Sequence, residues 1–264
     1  KPAPIQVSWA GYVGTTGLSA MDYYLTDQVS TRFDEEPFYS ETIIRMPDSF
    51  VCFTPPDYAP DIGPLPFENN GYITFCSFSN PAKINNEVLS VWSDILISVS
   101  NSRLLIKYSG IDANANTKRL KNELKKAGVD LSRLILEGKS PHTELLAYYN
   151  NVDIALDPFP YSGGLTTMEA LWMGVPVITL PGDTFASRHS FSYLSTLGLQ
   201  DLVAISQSEY VSLAANLASD IEGLTNLRSN LRERMARSPI CNCEKFARNF
   251  STIMRNIWQD WCQN

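Results

Sequence analysis

Pro158-Phe-Pro-Tyr-Ser-Gly-Gly-Leu-Thr-Thr-Met-Glu-Ala-Leu-Trp-Met-Gly-Val-Pro-Val-Ile-Thr-Leu180 joins a turn rich in glycine and hydroxyl groups to a short helix and then to a buried strand. Val152-Asp-Ile-Ala-Leu156, just upstream, reads as a strand, so the segment is a strand, turn, helix and strand in series. Gly163 and Gly164 let the backbone turn sharply, and a helix opening near Leu165 to Thr167 aims unpaired N–H groups at whatever lies above it. That is an anion seat, and phosphate or diphosphate is its natural occupant.

Outward from the seat the pattern is regular. Strands are predicted over 73–76, 104–107, 134–136, 153–156 and 177–180, with helices over 86–99, 116–127, 143–150 and 165–173. Strands and helices alternating at this spacing give a parallel sheet with helices on both faces. Three further helical stretches are expected to close the chain; Ser206 to Glu209 reads as a capping box, and apolar residues recur at helical spacing between Cys243 and Trp261. Residues 1–65 differ. They hold strands near 5–9 and 23–25, a Gly-Thr turn and a proline-rich exit over 55–66, too few elements to close a core alone, and read as the tail of a second domain.

Composition is that of a globular chain: 264 residues, 44% hydrophobic and 19% charged. No apolar run approaches a membrane span and no signal segment opens the chain, so a cytoplasmic location is expected. A net charge of −7 argues against a nucleic-acid surface, and any phosphate site must be built locally. The five cysteines lack Cys-x-x-Cys spacing and read as reduced structural thiols.

The seat, followed by Pro181-Gly-Asp-Thr-Phe-Ala-Ser-Arg188 and Leu197-Gly-Leu, resembles the C-terminal catalytic half of the protein O-GlcNAc transferases, particularly bacterial relatives that carry tetratricopeptide repeats. Pro2 to Gly17, Met21 to Asp27, Tyr39-Ser-Glu41, Lys83-Ile84 and Met235 to Cys241 match in the same order. The resemblance implies a GT-B-type glycosyltransferase. Residues 1–65 would end the acceptor-side domain, 66–240 form the Rossmann-like nucleotide-sugar domain, and 241–264 a C-terminal helix packing back across both. It also implies an inverting, metal-independent enzyme that carries a sugar from a UDP-sugar, UDP-GlcNAc above all, to Ser or Thr hydroxyls of a protein, without a cofactor. The family's upstream catalytic half and its repeats would be the remaining partners.

Ligands of such sheets bind beyond the C-terminal ends of the strands, which singles out three loops. In Ser77 to Asn86, Asn85 caps the next helix and Lys83 precedes its positive end. A cation there is electrostatically poor unless an anion lies between. Alone, Lys83 is an ordinary solvated lysine; beside the seat it becomes the diphosphate clamp and the one catalytic candidate. Asn80 reads equally as a ligand hydrogen-bonder or a turn residue. In Glu137 to Glu144 the family holds the uracil base by main-chain contacts, here at Ser140, with a histidine on the following helix. That histidine position falls on Leu145, and His142, three residues earlier, reads as a substitute or as a surface cap. In the seat itself the resemblance puts Gly164, Leu165 and Thr166 on the diphosphate and Glu169 on the ribose hydroxyls. Leu165 replaces the usual threonine, a loss that Thr167 is expected to offset. Across the cleft, the run containing Gly11 and Gly14 would face the donor sugar, with Val13 in place of proline.

No Gly-x-Gly-x-x-Gly follows an early strand, which leaves an NAD-type dehydrogenase a distant third reading. A non-catalytic nucleotide-sugar-binding module of the same descent is the competing reading, drawn from Leu145 and Leu165.

Overall fold

The computed structural model describes residues 1–111 and 114–263. Two parallel sheets organise them. The first has β1 (Val7–Ser8), β2 (Tyr23–Asp27) and β3 (Thr42–Met46) in the order β1-β2-β3. The expected strands near 5–9 and 23–25 are therefore joined by a third, Thr-Ile-Ile-Arg-Met, in which Thr42 is exposed, the next three residues are half-buried and Met46 is buried.

After a connector and α1 (Pro66–Asn70) comes the second sheet, with β4 (Ile73–Ser77), β5 (Ser102–Lys107), β6 (Leu134–Glu137), β7 (Ile154–Leu156) and β8 (Val177–Ile178). Its order is β6-β5-β4-β7-β8 and every pairing is parallel. The chain starts at the centre with β4, walks out to β6, then returns to the other side of β4 as β7. The loops after β4 and β7 thus diverge at a topological switch point, where open α/β sheets bind ligands.

The helices are α2 (Asn86–Ser98), α3 (Asn114–Lys126), α4 (His142–Tyr148), α5 (Leu165–Trp172), α6 (His189–Thr196), α7 (Gln207–Ser219), α8 (Ile221–Arg237) and α9 (Cys243–Gln263). Four helices follow the second sheet rather than three. The extra one, α6, has Ser, Tyr and Thr instead of strong helix formers and buries five of its residues, so tertiary packing stabilises it. Start signals read as expected: Asn85 Oδ1 accepts the Val88 N–H at 2.9 Å, and Ser206 Oγ that of Glu209 at 3.2 Å. Glu209 bonds the Ile205 N–H, one residue before the cap.

Side-chain alternation along the strands separates two cores. Phe75, Ile154, Leu104, Ile106 and Ile178 point to a cluster closed by Val88 and Trp92 of α2, Leu120 of α3 and Tyr210 of α7. Cys76, Ala155, Leu105 and Val177 point the other way, to Leu146, Met168, Leu171, Tyr193, Leu231 and Met235. Tyr24, Phe50 and Phe53 belong to that second cluster, so the first sheet completes its core on the second.

One buried ion pair ties the sheets together. Arg188 and Glu35 are 2% and 8% exposed; Nη1 donates to Oε2 at 2.7 Å, Nη2 meets Oε1, and Nε donates to the Gly182 carbonyl at 2.9 Å. Burial alone would raise the Glu35 carboxyl, yet Arg188 holds it below its usual range. Removing one partner strands a buried charge. Arg188→Met should therefore cost about 3–5 kcal/mol in urea unfolding. Arg237→Met, which breaks only the exposed pair with Glu233, should cost less than about 1 kcal/mol.

Candidate functional site

A cleft of about 490 Å³ opens at the switch point, within the range that holds small ligands. Its floor is the seat. β7 ends at Leu156, and Asp157, only 3% exposed, fixes the turn that follows. Asp157 Oδ1 accepts the Gly163 N–H and Oδ2 the Thr179 hydroxyl, both at 2.6 Å. A side chain at Gly163 would collide with Thr167 Oγ1 and Asp157 Oδ1, which is why glycine is required there.

Two of the turn's carbonyls are held from outside it as well. Asn85 Nδ2 donates to the Phe159 carbonyl at 3.1 Å, and the Tyr210 hydroxyl to that of Asp157 at 2.9 Å. Gly164 then starts α5, and among the described residues the N–H groups of Gly164, Leu165 and Thr166 meet no acceptor. All three residues line the cleft.

Lys83 reaches in from the short turn Pro81–Lys83. Its Nζ donates to the Ser162 carbonyl at 2.7 Å and lies 3.9 Å from the centre of the Tyr161 ring. Burial pulls its pKa down, while Asp157 works against that fall. Asn80 also lines the cleft, with its Oδ1 capping the Ala82 N–H at 3.0 Å. Gly11 completes the opposite wall.

The remaining predicted residues lie elsewhere. Thr167 is buried, and its hydroxyl pairs with Ser190 Oγ at 2.8 Å, so it lies under the seat and does not replace the hydroxyl missing at Leu165. Gly14 donates its N–H to the Tyr24 hydroxyl at 3.1 Å and borders a neighbouring depression. The adjacent Thr15 and Thr16 are bound to Glu41; burial opposes the shift, but their hydrogen bonds pull its carboxyl down to about 2. Ser140 Oγ is buried with no partner among the described residues. His142 is more than a cap. Its Nε2 lies 2.7 Å from Glu169 Oε1 and its Nδ1 2.9 Å from the Tyr58 hydroxyl. Glu169 is itself 4% exposed, and burial raises its pKa against the pull of His142. Leu145 packs on the core.

Sequence reasoning missed Asp157 and His189. His189 lines the cleft, 7% exposed, among the rings of Phe50, Tyr161 and Phe185. Its Nε2 is buried without a partner among the described residues. Burial, with Lys83 nearby, lowers its pKa to about 4, so it is a neutral imidazole at physiological pH. The signal available for Asp157 was an acid at the end of an apolar strand just before a glycine turn.

Burial raises the Asp157 pKa to about 6, against 3.8 unperturbed. The folded state therefore holds that proton more tightly, and the associated stability, full below the unperturbed value, is lost as pH rises to about 6. Asp157→Asn, whose amide satisfies both neighbours, should flatten the pH dependence of thermal unfolding in that interval. Asp157→Ala should cost about 1–3 kcal/mol for each partner left unpaired.

The family described as Glycosyl transferase family 41 matches residues 1–54 and 65–250. A probable UDP-N-acetylglucosamine–peptide N-acetylglucosaminyltransferase SPINDLY of Petunia hybrida is 43% identical over an alignment of 267 residues that covers 99% of this chain and 28% of that relative. Among solved structures, a mutant of the Thermobaculum terrenum O-GlcNAc transferase superposes with a TM-score of 0.92 at 37% identity, covering 99% of this chain and 50% of that one. A sucrose-phosphate synthase from Thermosynechococcus elongatus, at 15% identity and a TM-score of 0.64 over 92% of this chain and 60% of its own, shares the fold alone. This chain, spanning little more than a quarter of its Petunia relative's length, belongs to glycosyltransferase family 41 and has the GT-B fold.

Proposed function

We propose that this chain is the donor-binding part of a protein O-glycosyltransferase that takes the sugar from a UDP-sugar, UDP-GlcNAc foremost, and passes it to Ser or Thr hydroxyls of a protein. The observation that carries this reading is the pairing, across one cleft, of three unpaired N–H groups at the start of α5 with the Lys83 ammonium. The activities named for the Petunia relative and the Thermobaculum enzyme agree with it.

As the bond from the anomeric carbon to the diphosphate breaks, negative charge grows on the leaving oxygens. Donors fixed in advance toward that charge lower the barrier without reorganising. Lys83 and the N–H groups of Gly164, Leu165 and Thr166 supply them, so the reading needs no metal at the diphosphate. Glu169, steadied by His142, would take the ribose hydroxyls, and the loop at Ser140 the base. Gly11 would face the sugar, while Gly14, bordering the neighbouring depression, would hold the loop that carries it. Attack by the acceptor on the far side of the anomeric carbon inverts it; the acceptor site, the remaining catalytic half and any tetratricopeptide repeats would belong to the rest of the protein, working in the cytoplasm.

A second reading, a donor-binding module without turnover, rests on Leu165. This side chain is 61% exposed and lines the cleft where a hydroxyl is expected.

Calorimetric titration with UDP in the presence of chelator should show binding; affinity that appears only with magnesium or manganese would overturn the clamp. Lys83→Ala should lose about 1.5–3 kcal/mol, roughly ten- to a hundredfold in affinity. Lys118→Ala, on an exposed stretch of α3, should change little. Transfer assays on the intact protein with UDP-GlcNAc, UDP-glucose and purine-nucleotide sugars then separate the readings. Transfer of GlcNAc supports the enzyme, transfer from another donor corrects the substrate, and binding without any transfer supports the module.

A further inference from the structure

The connector after β3 meets the start of α9 at a pair of thiols. Cys52 Sγ donates to Cys243 Sγ across 3.2 Å, and the Thr54 hydroxyl lies 3.4 Å from the same sulfur. Backbone contacts hold the two segments together: the Phe53 N–H donates to the Ile240 carbonyl at 2.8 Å, and Lys245 pairs with Asp48 at 2.8 Å. Both cysteines are free; Cys243 is exposed and Cys52 half-buried.

The two sulfurs differ in a way that divides labour between them. Hydrogen bonds from Thr54 and then Cys52 lower the Cys243 pKa, and it is the first residue of α9, where the helix dipole also favours a thiolate. Burial, with Cys243 as neighbour, raises Cys52 to about 12. One sulfur is exposed at the start of a helix; the other is half-buried beside it.

We propose that Cys243 and Cys52 form an oxidation site for hydrogen peroxide, in which Cys243 is the attacking thiolate and Cys52 resolves it to a disulfide. Cys243 sulfur attacks one peroxide oxygen, the O–O bond breaks, and the departing hydroxide takes up a proton and leaves as water. The product is a sulfenic acid at Cys243. Cys52 sulfur then attacks Cys243 sulfur; the S–S bond forms, the S–O bond breaks, and hydroxide leaves with the Cys52 proton as a second water. Two thiols give up two electrons and the peroxide takes them. The sulfurs must close from 3.2 Å to the roughly 2.05 Å of a disulfide, a shift that side-chain rotation supplies at an exposed helix start.

The bond would fasten the connector between the sheets to the helix whose Phe246 and Phe250 pack on Trp9, just past β1. It would thus covalently close the circuit that chain and side-chain contacts already trace between the two sheets.

The test is hydrogen peroxide titration of the intact protein, followed by alkylation in denaturant and peptide mapping. The expected result is a single linkage between Cys52 and Cys243, reversed by dithiothreitol. Cys52→Ala should leave a sulfenic acid at Cys243 that dimedone traps, Cys243→Ser should lose both products, and Thr54→Val should slow the reaction while leaving the fold, followed by circular dichroism, intact. No linkage, a linkage through Cys241 or Cys262, or a dimedone adduct at Cys52 in the Cys243→Ser protein would overturn the assignment.

Discussion

The seat depends on one buried carboxylate. Asp157 sits where β7 ends, 3% exposed, and with two oxygens it fixes the Gly163 amide and the Thr179 hydroxyl just past β8. Burying that charge is costly, as its raised pKa records. The cost is offset by geometry. With Gly163 fixed, Gly164 can open α5 with its N–H groups facing out, and Ser162 presents its carbonyl to Lys83. A parallel sheet provides the carbon framework, but this acid determines which way the donors point.

The sheet was legible because parallel strands buried on both faces read as short apolar runs, and Ile73 to Ser77 or Ser102 to Lys107 are buried nearly throughout. β3 escaped for the opposite reason: it is half-exposed. Of the site, Lys83, Asn80 and the start of α5 were legible from loops placed after strands, and Gly11 only from the family resemblance. Thr167 was not, because only the fold reveals that Ser190, carried in by α6, meets its hydroxyl. His189 escaped likewise. Its place in the cleft depends on the 181–188 segment, which Arg188 pins to Glu35, a partner more than a hundred residues away.

His142 and Glu169 show a local ambiguity resolved by distance. A histidine at a helix start and an acid in an α5 otherwise without charged residues each have ordinary explanations. Their contact at 2.7 Å joins the start of α4, the helix after β6, to the helix after β7. A carboxylate so buried would be poorly placed without a donor, and the imidazole supplies one while Tyr58 holds its other nitrogen. Leu145, at the position where a family histidine is expected, is freed to pack on the core.

Charge in the cleft is kept low. His189 faces the same space as Lys83, yet burial and that neighbour leave it neutral above about pH 4. An anion entering the cleft thus meets one ammonium and a set of backbone dipoles instead of two cations. Lys83 already donates to a carbonyl and lies over a ring, so it is positioned before a ligand arrives. A second full charge would hold a diphosphate tightly in every state, including the product state, and interactions that do not discriminate between ground and transition states add nothing to the rate. Fixed dipoles with a single pre-positioned charge would, under the proposed function, suit a group whose negative charge grows during the reaction and which must then depart.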